Sequence, residues 1–88
     1  MVERTVTVPN ALGLHARPAA QLVRLANGFD AEIVLAKAEM SVNGKSIMGV
    51  MMLAAECGST LRIEANGPDE EAAVQAIAAM ITDGFGEG

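Results

Sequence analysis

The sequence predicts an α+β domain of two layers, in which helices cover one face of a sheet. Apolar residues alternate with polar ones in several segments, as in strands with one buried face, and recur at helical spacing in others. The predicted order is strand, helix, strand, strand, short helix, strand, helix. A length of 88 residues suits one core, so we expect a single domain over residues 1–88.

The strands are predicted from two-residue alternation. Residues 2–8 place three valines on one face, and residues 60–65 alternate strictly, with apolar side chains at the three odd positions. A β-prone run at 33–35 and a shorter one at 40–42 are separated by a polar stretch at 37–39. We expect these two runs to pair as a hairpin.

The first two helices are predicted from their start and stop signals. Pro18 fits the first turn of a helix, where its missing N–H costs nothing, and Asn27 with the following glycine is a stop signal. Ser46 ends a turn and is a good N-cap for a short apolar helix, which we expect to run to about Ala55.

The last helix is predicted to follow the turn at 67–71, whose acidic residues suit the positive end of a helix, and to end near Asp83. The tail at 84–88 is too rich in glycine to hold itself in order. Phe85 is the one side chain of this tail that we expect to dock on the domain.

Composition excludes several classes of protein. The net charge of -5 argues against neutralising the phosphates of a nucleic acid. Cys57 is the single cysteine, so it cannot close an internal disulfide, and scattered carboxylates with one histidine predict neither a metal site nor a bound cofactor. The apolar run at 47–55 is far shorter than the roughly 20 residues of a membrane span, and the N-terminus lacks a secretory pattern. We therefore expect a cytoplasmic monomer with protein partners.

The segment at 13–18 contains the residues that are best suited to bind an anion. It places His15 directly before the predicted helix, whose first backbone N–H groups, those of Ala16 and Arg17, have no intrahelical acceptor. Such amides and the positive end of the helix dipole favour an anion, and the Arg17 guanidinium can donate paired hydrogen bonds to phosphate oxygens. By geometry alone, a histidine here is more often a cap or a surface residue, so the pattern by itself leaves its role open.

Two signatures in the sequence resemble those of the HPr family of phosphocarrier proteins. The first is Leu14-His15-Ala16-Arg17-Pro18-Ala19-Ala20, and the second runs from Asn43 to Met51 at the expected spacing. The resemblance covers residues 1–83. It implies an open-faced two-layer sandwich, βαββαβα, in which a four-stranded antiparallel sheet is covered on one face by three helices. It also implies that His15 is phosphorylated on Nδ1 and that Arg17 matches the family's arginine.

The resemblance also implies the partners. The donor would be phosphorylated enzyme I, and the acceptors would be IIA proteins or domains of the phosphotransferase system. Ser46 matches the serine that HPr kinase/phosphorylase phosphorylates in many bacteria. The protein would then be a carrier in a phosphorelay and not an enzyme with a small-molecule substrate.

The short apolar helix is predicted to take part in partner binding. A two-turn helix on a sheet can bury only one of its sides. We expect the core to receive Val50, Leu53 and Ala54, which leaves an outward group of Ile47, Met48 and Met51. Methionines adapt to several partners. Family members present an apolar patch on this helix, and Arg24 and Lys45 would add charge at its rim.

Three alternatives remain open from the sequence. Leu12 and the segment at 52–55 are similar to the nitrogen-related branch of the family, NPr, so a sugar-related and a nitrogen-related relay both fit. A small hydrolase would use His15 as base with Ser46 or Ser59 as nucleophile. A regulatory binding module would act through Ser46 and the apolar helix alone.

Overall fold

The computed structural model describes residues 1–86 and contains the predicted elements in the predicted order. A final 3-10 turn covers Gly84–Gly86. Along residues 1–86, no helix has the length and apolar character that a membrane crossing needs. The strands and helices are β1 (Val2–Thr7), α1 (Ala16–Ala26), β2 (Glu32–Lys37), β3 (Met40–Asn43), α2 (Ile47–Met52), β4 (Thr60–Asn66) and α3 (Glu70–Thr82).

The four strands form one antiparallel sheet in the order β1-β4-β2-β3. Its register places Ile63 of β4 opposite Leu35 of β2 and Arg4 of β1. The odd-numbered residues of β4 are buried and the even-numbered ones are not, as the alternation predicts. The structure confirms the predicted sandwich, in which helices cover one face. Val2 and Val6 are only half-buried, because β1 is an edge strand.

The core is built almost entirely from aliphatic side chains. Phe29 is half-buried against it and Phe85 is buried, so the predicted docking of Phe85 is confirmed. Of the glycine-rich tail, residues 84–86 form the 3-10 turn, and residues 87–88 lie outside the described residues. The largest fully buried side chains are Leu22, Ile33, Leu35, Leu61, Ile63, Ile77 and Ile81.

Helix α2 is shorter than predicted. It ends at Met52 and not near Ala55, because Ala54 adopts a left-handed backbone with φ 49° that a right-handed helix cannot include. The expectation that Ala54 faces the core is also wrong, since this residue is exposed. Val50 and Leu53 are buried as predicted.

The start of α3 is bonded to the connection between α1 and β2. The Asp69 carboxylate accepts the backbone N–H groups of Asp30 and Ala31, each at 2.8 Å. The hydrogen bond from the Asp30 amide is the main cause that holds the pKa of Asp69 below its ordinary value. The end of α1 and the start of α3 are therefore held together beside the sheet.

Candidate functional site

His15 lies at the N-cap position of α1, directly before the first helical residue, as the sequence predicts. Its backbone is extended, with φ -77° and ψ -174°, and its carbonyl oxygen accepts the Ala19 amide at 3.0 Å. The residue is half-buried and thus partly open to solvent. The only histidine of the chain is therefore placed at the positive end of an eleven-residue helix.

The first turn of α1 leaves two backbone donors at this end. Pro18 has no N–H, and the Ala19 amide is bonded to the His15 carbonyl. The N–H groups of Ala16 and Arg17 have no acceptor within the helix. Both residues are exposed, and the first turn contains no acidic residue that would repel an anion. This end of the helix can therefore bind a phosphoryl group through two amides and one guanidinium.

The loop before His15 is held by a close contact that the sequence did not reveal. The Leu14 amide donates to the Ala55 carbonyl oxygen at 2.8 Å, and Asn10 Nδ2 donates to the Gly13 carbonyl at 2.7 Å. Gly13 has φ 65°, and a Cβ atom there would lie 2.3 Å from the Ala55 oxygen and 2.9 Å from Glu56 Cα. A glycine before the histidine was the one signal that could have indicated this contact.

Ser46 is the N-cap of α2, as predicted. Its Oγ accepts the Gly49 amide at 3.1 Å, and its carbonyl accepts the Val50 amide at 3.0 Å. The Ser59 Oγ likewise accepts the Glu56 amide at 2.8 Å. Both hydroxyls have local structural roles, so their contacts give no support to the alternative in which either serine is a hydrolase nucleophile.

An apolar surface covers the outer side of α2. Ile47, Met48 and Met51 are exposed, as predicted, with Met48 at 75%. Met52 is 63% exposed and was not predicted to belong to this group. Leu12, in the loop that packs through Gly13 against residues 55 and 56, is 72% exposed. We call the surface formed by Leu12, Ile47, Met48, Met51 and Met52 the apolar surface.

The two predicted rim cations differ in their surroundings. Arg24 is exposed in the last turn of α1. Lys45 is half-buried, and its Nζ donates to the Phe29 carbonyl at 2.6 Å, while its own carbonyl accepts Asn27 Nδ2 at 3.4 Å. Lys45 thus joins the end of α1 to the start of α2, a role that the sequence did not indicate. Among residues 1–86, no cluster of three or more histidine, cysteine, aspartate or glutamate side chains could hold a metal ion.

The sequence matches one family description, the phosphorylation site of the HPr component of the phosphotransferase system, over residues 2–83. The phosphocarrier protein HPr of Cupriavidus necator is 49% identical over 88 residues, which are 100% of this chain and 99% of that protein. The phosphocarrier protein NPr of Escherichia coli K12 is 41% identical over 87 residues, 98% of this chain and 97% of that protein.

Solved structures show the same similarity. HPr of Thermoanaerobacter tengcongensis superposes with a TM-score of 0.96 at 43% identity, covering 100% of this chain and 99% of that one. A dimer of HPr from that organism superposes with a TM-score of 0.79 at 44% identity, covering 99% of this chain and 100% of that one. The fold and the sequence therefore point to the same family.

Gly13→Ala is expected to destabilise the protein by roughly 2 kcal/mol or more, because the left-handed backbone disfavours a side chain and the new Cβ collides with the peptide at Ala55. Chemical unfolding in urea, followed by circular dichroism, measures the change.

Gly58→Ala is the matched control, since Gly58 also has a positive φ, 91°, but a Cβ there meets nothing within 4 Å. It carries the backbone cost alone and should lose less stability, about 1 kcal/mol. Equal losses in the two variants would contradict the close contact at Gly13.

Proposed function

Because the chain belongs to the HPr family of phosphocarrier proteins of the phosphotransferase system, we propose that its phosphoryl group is carried on His15. The observation that carries the proposal is the position of this half-buried residue at the N-cap of α1, directly before Ala16 and Arg17. No other residue of the chain is a histidine.

The proposed transfer is a displacement at phosphorus. The unprotonated Nδ1 of His15 attacks the phosphorus atom held by the donor, a new N–P bond forms, and the bond between phosphorus and the donor breaks, its electron pair returning to the donor. The two amides and the Arg17 guanidinium then hold the phosphoryl oxygens. These donors already point there, so little reorganisation accompanies transfer in either direction. Reversal of the same step passes the group to an acceptor.

The proposed donor is phosphorylated enzyme I, and the proposed acceptors are IIA proteins or domains. Relatives named HPr and NPr both match along nearly the whole chain, so the sugar-related and the nitrogen-related relay share this chemistry. We propose that the working unit is a cytoplasmic monomer, because a second copy on the apolar surface would cover the place where partners dock. The exposed free thiol of Cys57 fits a reducing compartment.

The apolar surface is the proposed docking site for these partners. Its methionine side chains are flexible and polarisable, so one surface can pack against enzyme I and against several acceptors. Arg24 lies exposed at the end of α1 and provides positive charge at the rim, and Lys45 contributes charge from its place between α1 and α2. Brief transfer contacts need a small interface with fast release.

Ser46 is the proposed regulatory residue. A phosphate on its Oγ would add about -1.5 to -2 charges at the start of α2, between Lys45 and Ile47. The N-terminal end of a helix tolerates this charge, so the fold would remain. The docking surface would change from apolar with a positive rim to partly negative, which would disfavour partners that bind the unmodified protein. HPr kinase/phosphorylase is the proposed enzyme for this modification.

Incubation with enzyme I and phosphoenolpyruvate is expected to add one acid-labile phosphoryl group, located on His15 by mass spectrometry. His15→Ala should accept none. Arg17→Met should slow transfer on the order of a hundredfold, because one charged donor to the phosphoryl oxygens is lost. Rapid-quench kinetics with labelled phosphoenolpyruvate measures the rate.

Arg4→Met is the matched control, since Arg4 is exposed on β1 and lies outside the α1 site. It should transfer at the wild-type rate. Phosphorylation of another residue would contradict the role of His15. Equal slowing by the two arginine substitutions would contradict the role of Arg17.

Met48→Glu is expected to raise the KM for phosphorylated enzyme I on the order of tenfold, because burying a methionine side chain in an interface is worth about 1.5–3 kcal/mol. Met40→Glu provides the control, since Met40 is exposed at the start of β3 and outside the apolar surface. Steady-state transfer assays compare the two. An equal KM for both variants would contradict the proposed docking surface.

Ser46→Asp is expected to keep α2 folded, because aspartate is also a good N-cap, and to slow transfer from enzyme I several-fold through its added charge. Ser46→Asn keeps the cap without the charge and should transfer normally. Unfolding curves and transfer rates are measured for both. In a parallel reaction, ATP and the kinase should place an acid-stable phosphate on Ser46. If the asparagine variant is slowed as much as the aspartate variant, the charge is not the cause.

A further inference from the structure

Lys37 connects the sheet to the end of α2. It is the last residue of β2, and its Nζ donates to the carbonyl oxygens of Leu53 at 3.4 Å and of Ala54 at 3.1 Å. Carbonyl groups at the end of a helix lack intrahelical partners and carry partial negative charge. An ammonium group is therefore well suited to this position.

The backbone that Lys37 holds is strained. Ala54 has φ 49°, a left-handed conformation that is unfavourable for a residue other than glycine. Helix α2 has six residues, too few to be stable alone in water. Its end has no glycine to adopt this conformation freely. Contacts from outside the helix must hold residues 53–54, and the two bonds from Lys37 are such contacts.

The next residue, Ala55, contacts the loop that precedes His15. The Ala55 carbonyl accepts the Leu14 amide at 2.8 Å, and Gly13 is in direct contact with the same peptide. Leu14 is 4% exposed and is joined by a peptide bond to His15. The position of the Ala55 carbonyl oxygen therefore fixes the backbone of Leu14, and with it the position of the next residue, His15.

We propose that Lys37 is a positioning residue for phosphoryl transfer at His15. It holds the carbonyls of Leu53 and Ala54 so that the next carbonyl, that of Ala55, meets the Leu14 amide, and this contact keeps the imidazole beside the amino end of α1. Lys37 touches neither the imidazole nor the phosphoryl oxygens in this scheme. The inference rests on the proposed role of His15 and adds to it a residue at the end of β2.

The test compares three substitutions in the full chain, each studied well below its unfolding temperature. Lys37→Met keeps the length of the side chain and removes its donors. It should speed hydrogen exchange of the Leu14 amide on the order of tenfold and lower kcat for transfer to a similar extent, with KM for phosphorylated enzyme I unchanged. Lys37→Arg should restore both values, and Lys37→Gln, with donors but no charge, should lie between them.

Arg4→Met is the control, since Arg4 is an exposed cation on β1 and is not part of the proposed site or docking surface. It should leave the exchange of the Leu14 amide unchanged. The inference is overturned if Lys37→Met matches the wild type in exchange and kcat, if it changes KM alone, or if Lys37→Arg restores neither value. In each of these cases the wild-type protein would still be phosphorylated on His15. Failure of the proposed function would instead appear as the absence of a phosphoryl group on the wild-type protein.

Discussion

The hydrogen bond from the Leu14 amide to the Ala55 carbonyl is the contact on which the site depends. It joins the loop after β1 to the segment after α2, which are about forty residues apart in the chain. Gly13 makes the contact possible, because any Cβ would occupy the place of the carbonyl oxygen. This approach joins the loop before His15 to the segment that follows α2, so the proposed phosphoryl site lies near the end of the helix that carries the proposed docking surface.

Local charge at the site is opposite to the charge of the whole chain. The net charge is -5, yet the first turn of α1 has no acidic residue and contains Arg17, and the last turn of the same helix contains Arg24. Acidic residues are concentrated elsewhere, for example in the first turn of α3 and around Arg62 on the sheet. A relay protein can therefore attract a phosphoryl group without an enclosed pocket. The specificity of transfer then resides in the surface that partners contact.

Helix α2 combines several tasks in six residues. Val50 anchors it in the core, Ser46 caps its start, and its exposed methionines belong to the apolar surface that is proposed as the docking site. Such a short helix depends on side-chain contacts at both ends, which here are the local cap from Ser46 and the tertiary bonds from Lys37. A modification or partner at α2 can therefore affect the neighbouring histidine loop through residues 53–55.

Local signals in the sequence determined the elements and the chemical groups of the site. Alternation predicted β4, Pro18 and the helical spacing after it predicted α1, and the serine before an apolar run predicted the cap of α2, because each pattern acts through neighbours a few residues away. The position of His15 before Pro18 likewise followed from its neighbours in the chain, and family resemblance supplied its expected role.

Only the tertiary structure decided how these elements meet. The end of α2 at Met52 and the exposure of Met52 and Ala54 depend on which residues the rest of the domain covers. The bonds from Lys45 to Phe29 and from Lys37 to Leu53 and Ala54 join residues sixteen or seventeen positions apart in the chain. The spacing of apolar residues along the chain does not predict which carbonyl oxygen, sixteen residues away, a lysine side chain will bond. The contacts of Lys37 exist because the folded sheet brings the end of β2 and the edge strand β3 beside the short helix. They form only when the whole domain packs together.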